Sequence, residues 1–288
     1  MRRPKKTPEQ SKDLTALRRH LLGGLWCLKF LFLASAGLGW GQSVALRGIA
    51  HVAFQVPDIA KTSDFYQRLG FEQAFAFRKD GKTIQAFIKI NDLQFIELYP
   101  LTQRDPQPGF MHLCFEGSDL VQLNAAYRLR GLTPTEVRKA HAGNLLFTMV
   151  GPENQNIEYT QYLPGSLHSG DRSKHLGKDR LSKHLKAVAV NMHDTAAAEA
   201  FYIDKLSFQP VPSNDQSDLL LPGASGESIL LKNPDNRALP DLIFQVSNIH
   251  RTAKDLKKRG FALRVSGEGV YVTDPDGTLI EFSSKPGE

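Results

Sequence analysis

Four times along this chain an apolar strand pattern is followed by a polar turn and then an amphipathic helix pattern. The strand patterns open near Ile49, Phe110, Leu185 and Asp241. In the first copy Asp58 follows Pro57 as a helix N-cap, and Thr62, Phe65, Tyr66 and Leu69 fall on one helical face. Gly70 ends that helix, and Phe71 opens the return strand. The other copies close alike, at Arg130-Gly131-Leu132, Leu206-Ser207-Phe208 and Arg259-Gly260-Phe261, and the third repeats Phe65-Tyr66 as Phe201-Tyr202 behind another N-cap, Asp194. Short alternating segments such as Ala86 to Ile90 and Leu93 to Tyr99 come after the helix and read as antiparallel strands. The pattern predicts an α+β chain of four βαβββ modules, each about 55 residues long.

Matching turns, Gly151-Pro152-Glu153-Asn154 and Asp274-Pro275-Asp276-Gly277, lead into the last strands of units two and four. Residues 164–180 are rich in Gly, Ser, Lys and His and carry no period. They predict a linker over 164–183 between two paired modules, 46–163 and 184–288, with His168, His175 and His184 solvated.

Strand alternation decides which side chains share a face. It puts His51 with Ala53 and Gln55, and Ala50 on the opposite side. It groups Glu97 with Phe95 and Tyr99, His112 with Phe110 and Cys114, and Glu158 with Asn156 and Thr160. Unit one thus offers His51 and Glu97, 46 positions apart, and unit two offers His112 and Glu158, again 46 apart. If the units pair about a pseudo-twofold axis, the four converge on one cavity. Two imidazoles and two carboxylates suit an octahedral divalent ion (Ni, Co, Mn or Fe(II), with Zn possible) better than a closed tetrahedral site. Two open positions would remain for chelating a small-molecule substrate through adjacent oxygens. The ion would act as a Lewis acid and a loosened carboxylate as general base.

These motifs carry a family resemblance. Ile49-Ala50-His51-Val52-Ala53-Phe54, Phe65-Tyr66-Gln67-Arg68-Leu69-Gly70-Phe71, Phe95-Ile96-Glu97-Leu98-Tyr99, Met111-His112-Leu113 and Asn156-Ile157-Glu158-Tyr159 resemble the glyoxalase / bleomycin-resistance / extradiol-dioxygenase superfamily. The resemblance implies two tandem vicinal-oxygen-chelate domains. The His-Glu-His-Glu order is similar to bacterial glyoxalase I, where all four are metal ligands; this implies that Glu97 or Glu158 also moves the proton. Extradiol dioxygenases use His, His and Glu, which His51, His112 and Glu158 supply. They commonly place a catalytic His near Glu97 and a Tyr where this chain has Leu145-Phe147-Thr148, so that machinery looks incomplete. His141 sits in a loop and is expected to be solvated. In the second domain Ala187, Leu231 and Asp241 replace His51, Glu97 and His112, and Glu281 alone persists, which predicts a lost metal site. The expectation is a metal-dependent lyase or isomerase; the alternatives are an extradiol-type dioxygenase or a non-catalytic, resistance-type ligand-binding protein.

Charge does not add nucleic acid to this picture. The formal net charge of +6 resides in the first 41 residues, which hold eight basic and two acidic residues, leaving 28 basic against 28 acidic in the remainder. Arg18-Arg19-His20 precede an apolar run from Leu21 to Trp40, interrupted by Lys29, with small Gly39 and Gly41 before Gln42. Residues 1–42 therefore predict an export signal, with Arg18-Arg19 resembling a twin-arginine motif, or an uncleaved anchor that would be the one membrane contact. Either places the body outside the cytoplasm. Cys27 lies in this leader without a lipobox, and Cys114 is the single thiol of the body.

Overall fold

A computed structural model describes residues 45–104, 106–211, 217–236, 239–267 and 269–284, so the leader lies outside the described residues. The first half runs β1 (Leu46–Val56), α1 (Ile59–Arg68), β2 (Glu72–Lys79), β3 (Lys82–Lys89), β4 (Phe95–Pro100), β5 (Gly109–Gly117), α2 (Leu120–Leu129), β6 (Arg138–Lys139), β7 (Leu145–Val150) and β8 (Asn156–Gln161). A four-residue helix, α3 (Leu167–Gly170), precedes the second half. That half runs β9 (His184–Asn191), α4 (Thr195–Leu206), β10 (Gln209–Pro210), β11 (Ser217–Leu220), β12 (Ser228–Lys232), β13 (Leu242–Gln245), α5 (Ile249–Lys258), β14 (Arg264–Ser266), β15 (Gly269–Thr273) and β16 (Leu279–Ser283). None of the described helices is long and apolar enough to cross a membrane.

The helices start where side-chain oxygens satisfy their first free N–H groups. Asp58 accepts from Ala60 and Lys61, Asp119 from Gln122, Asp194 from Ala197, and Asn248 from Arg251. Tyr66 and Leu69 of the first helical face are fully buried. Gly70 follows with φ +94°, and a Cβ there would meet the Arg180 backbone at 2.5 Å, so this turn needs glycine twice over.

The two eight-stranded sheets share one topology: β2-β3-β4-β1-β5-β8-β7-β6 and β10-β11-β12-β9-β13-β16-β15-β14. In each, the first strands of two βαβββ units pair antiparallel at the centre, and the last strand of each unit lies parallel to its own first strand. One face packs on the helices through Val52, Phe54, Ile96, Leu98, Leu113, Phe115, Ile157 and Tyr159. The other face of the first sheet forms a cup, floored by Ala50, Phe87, Phe95, Cys114 and Tyr162.

Two bulges change the expected facing. Register slips between Ile49–Phe115 and His51–Cys114, so Ala50 is the extra residue and joins His51 on the cup side. A second slip lies between Ala53–His112 and Phe54–Phe110. It sends Phe110 across the sheet to pack edge-on against Phe54 at 6.4 Å, so His112 and Phe110 do not share a face. The segment 164–183 also differs from expectation: His168 is buried, and the segment is a strap laid on the first domain. Lys89, fully buried, binds the Asp171 carboxylate at 2.9 Å, and Leu181 N–H donates to Leu69 O. Sequence pattern missed this because the strap's partners are contributed by distant strands, not by its own period.

Candidate metal centre

Strand pairing brings the predicted ligands together. On β1, Ala53 is the partner of both Glu97 on β4 and His112 on β5, and on β5 Cys114 is paired with both His51 and Glu158. His51 Nε2 stands 3.1 Å from His112 Nε2 and 3.5 Å from Glu158 Oε1. Glu97 Oε1 lies 3.2 Å from His51 Nδ1 without hydrogen-bond alignment, so the two atoms are close but not bonded. His51 and Glu97 are 3% exposed and His112 5%, while the Glu158 side chain retains 13%.

The four residues and Cys114 fall into two overlapping sets that share His51. His51, Glu97 and His112 offer ligand atoms within 4.8 Å of one another, and so do His51, Cys114 and Glu158. Glu97 is turned partly away because its Oε2 accepts from the Tyr99 hydroxyl at 2.8 Å and from Gln85 Nε2 at 2.8 Å. Sequence pattern singles out neither donor as a partner of Glu97. Tyr99 was legible only as a residue on the Glu97 face, and Gln85 carried no signal.

Burial sets the protonation of the cup. It pushes His51 down to about 3 and, with help from the neighbouring His51, His112 down to about 4; both rings are neutral at pH 7 and offer lone pairs. Burial also raises Glu97, opposed by His112, Tyr99 and Gln85. Burial and the Glu97 charge together push Glu158 up to about 8. The Cys114 thiol is raised well above its ordinary value, first by burial and then by Glu158, so it stays protonated beside that carboxylate. His141, expected to be solvated, is exposed in a turn, its ring 4.4 Å from Phe77.

The second sheet keeps the positions but not the chemistry. By register, Ala187 stands for His51, Asp241 for His112 and Glu281 for Glu158. Leu230, not Leu231, stands for Glu97, because Ala187 pairs with Ser228 as His51 pairs with Phe95. The third unit is shorter, and adjacent leucines hide a one-residue offset from any alignment by pattern. Asp241 is ion-paired with Lys232 and accepts from Leu279 N–H.

Two sheets of this topology, each made of paired βαβββ units, give the chain the fold of two tandem vicinal-oxygen-chelate domains. Residues 48–159 match the model of the Glyoxalase/Bleomycin resistance protein/Dioxygenase superfamily. The match covers most of the first domain, and the second sheet repeats the topology of the first. No curated protein matches the sequence. Solved structures do. The Mn(II)-bound glyoxalase from Novosphingobium aromaticivorans is 15% identical with a TM-score of 0.63, covering 83% of this chain and 82% of its own. The 2,3-dioxygenase LapB from Pseudomonas sp. KL28 is 15% identical with a TM-score of 0.62, covering 84% and 93%. An extradiol ring-cleaving dioxygenase from B. fuscum is 15% identical with a TM-score of 0.60, covering 84% and 73%. At such identity the likeness is one of fold.

Proposed function

We propose that this protein is an exported, metal-dependent lyase or isomerase of glyoxalase type. In this proposal His51, Glu97, His112 and Glu158 hold one divalent ion, and a small oxygenated substrate chelates it through two oxygens. The observation that carries it is a pair of neutral imidazoles with Nε2 atoms 3.1 Å apart, flanked by two buried carboxylates. Two ring nitrogens bound side by side to one ion at about 2.1 Å stand roughly 3 Å apart, so the spacing fits. The charge fits as well, because two buried carboxylates without a cation are mutually costly. The Mn(II) of the glyoxalase neighbour supports a hard divalent ion for such a donor set.

A divalent ion in this cup supplies Lewis acidity to a chelated substrate oxygen. The chain's own residues supply the rest. His51 and His112 present lone pairs, and Tyr99 and Gln85 orient Glu97. Glu158, whose side chain is the more exposed of the two carboxylates, is the better placed to loosen from the ion and move a substrate proton. The leader of basic and apolar residues supports export.

Metal content by plasma mass spectrometry tests this, with a His51→Ala/His112→Ala variant beside the wild type. One divalent ion per chain, lost in the variant, is expected, followed by turnover of 2-oxoaldehyde adducts rather than catechols. A well-folded wild type that takes up none of Ni, Co, Mn, Fe or Zn refutes the function.

A further inference from the structure

The helix α3 carries His168 into the aromatic floor of the first cup. Its ring stacks on Tyr162 at 4.4 Å, with 17° between planes, and meets Phe75, Phe87 and Phe95 edge-on at 5.1, 5.5 and 5.0 Å. Two of those rings adjoin the candidate ligands: Phe95 is the β4 partner of His51, and Phe87 is the β3 partner of Glu97. His168 is 3% exposed and close enough to His51 for a charge on either to oppose one on the other. Burial holds it neutral, so one ring nitrogen donates and the other accepts. Yet among the described residues neither nitrogen has a hydrogen-bond partner, and both are buried.

A buried imidazole with both nitrogens unpaired is costly, and a phenyl ring would fill the same aromatic box without that penalty. The ring is also firmly placed. Ser166 caps its helix by accepting from Ser169 N–H. Three residues beyond His168, the Asp171 carboxylate and backbone oxygen both accept from Lys89, whose ammonium also pairs with Asp92 at 2.9 Å.

We propose that the strap delivers His168 as a positioning residue for the first cup. Its ring hydrogen-bonds a polar group of the substrate other than the two chelating oxygens, and so fixes the substrate's orientation over the four ligands. The role rests on the metal-site function proposed above. It also narrows the substrate class, to compounds that bear a third hydrogen-bonding group beyond the vicinal oxygen pair.

Salicylhydroxamate offers a chelating oxygen pair and a separate phenolic hydroxyl, whereas benzohydroxamate offers the pair alone. Calorimetry would measure the binding of both to the metal-loaded full chain, in wild type, His168→Phe and His168→Gln. Metal content and unfolding temperature would be recorded beside them. The phenylalanine variant is expected to bind one ion per chain, to unfold no lower than wild type, and to bind salicylhydroxamate at least tenfold more weakly. Benzohydroxamate should lose less, and glutamine should restore part of the salicylhydroxamate affinity. Salicylhydroxamate binding within twofold of wild type in the phenylalanine variant overturns the proposal. So does loss of metal or of stability in that variant, which would make His168 a purely structural ring. A wild type that binds no ion sinks the metal site itself, and this proposal with it.

Discussion

Replacing a candidate metal ligand usually costs stability, but Glu158→Gln should do the reverse in the metal-free protein. The Glu158 carboxyl rises from 4.5 to about 8 in the folded chain, through burial and the Glu97 charge. A group whose folded pKa is raised contributes stability that is present below the unfolded pKa and is lost as pH rises through the folded one. Between pH 4.5 and pH 7 the unfolded carboxyl is ionised while the folded one stays protonated. At about 1.4 kcal/mol for each pH unit, the wild type has by then given up about 3 kcal/mol. Only 13% of the side chain is exposed, so solvent screening trims this figure modestly. Glutamine keeps the shape and cannot ionise. Urea unfolding after chelator dialysis should therefore show the variant more stable by up to about 3 kcal/mol at pH 7, and by under about 1 kcal/mol at pH 5. Because the comparison is variant minus wild type, His51 and His112, which favour the unfolded state as pH falls below 6.5, drop out of the difference. A gain that is absent at pH 7, or equal at both pH values, would show that the carboxyl is not held in this way. The same linkage requires metal uptake at pH 7 to release a proton from Glu158, visible as a buffer-dependent binding enthalpy.

Tyr99→Phe removes the 2.8 Å hydrogen bond that holds Glu97 Oε2 and lowers its pKa; metal affinity in a chelator competition should fall about tenfold to a hundredfold, with the fold intact. Lys89→Met leaves the buried Asp171 carboxylate with His175 as its remaining partner; a loss of about 3 kcal/mol is expected, together with fast hydrogen exchange over residues 164–183. Unchanged exchange in that segment would mean that Lys89 does not anchor the strap.

The fold was legible because it repeats. Helix caps at Asp58 and Asp194, the Gly70 stop and the 46-residue spacing of His and Glu are local or periodic signals, and each unit confirms the last. The misplaced features are those that period cannot carry. A bulge adds one residue and reverses every side chain beyond it, so alternation placed Phe110 beside His112 although it packs with Phe54. The strap has no period, and its burial is decided by Phe75, Phe87, Phe95 and Lys89, roughly 75–95 residues earlier. Its Gly, Ser, Lys and His composition is that of a solvated linker, because a single His ring entering an aromatic box leaves no compositional trace.

The contrast between the two cups comes down to where each finds its positive charge. Two positions after the Glu97 site, the first domain has neutral Tyr99 and the second has Lys232. Opposite, the first has His112 and the second Asp241, and the second pair closes as an internal ion pair. The second cup thus carries its own cation on its own strand. In the first, the buried lysine of the cup floor, Lys89, is committed to Asp92 and Asp171, and Tyr99 offers Glu97 only a hydrogen bond. Two buried carboxylates there carry raised pKa values, and in the proposed function an added divalent ion would supply the missing positive charge. With Ala187 and Leu230 in place of His51 and Glu97 as well, the second cup lacks two of the four proposed ligands and closes its remaining Asp241 on Lys232, whereas the first keeps all four without an internal cation.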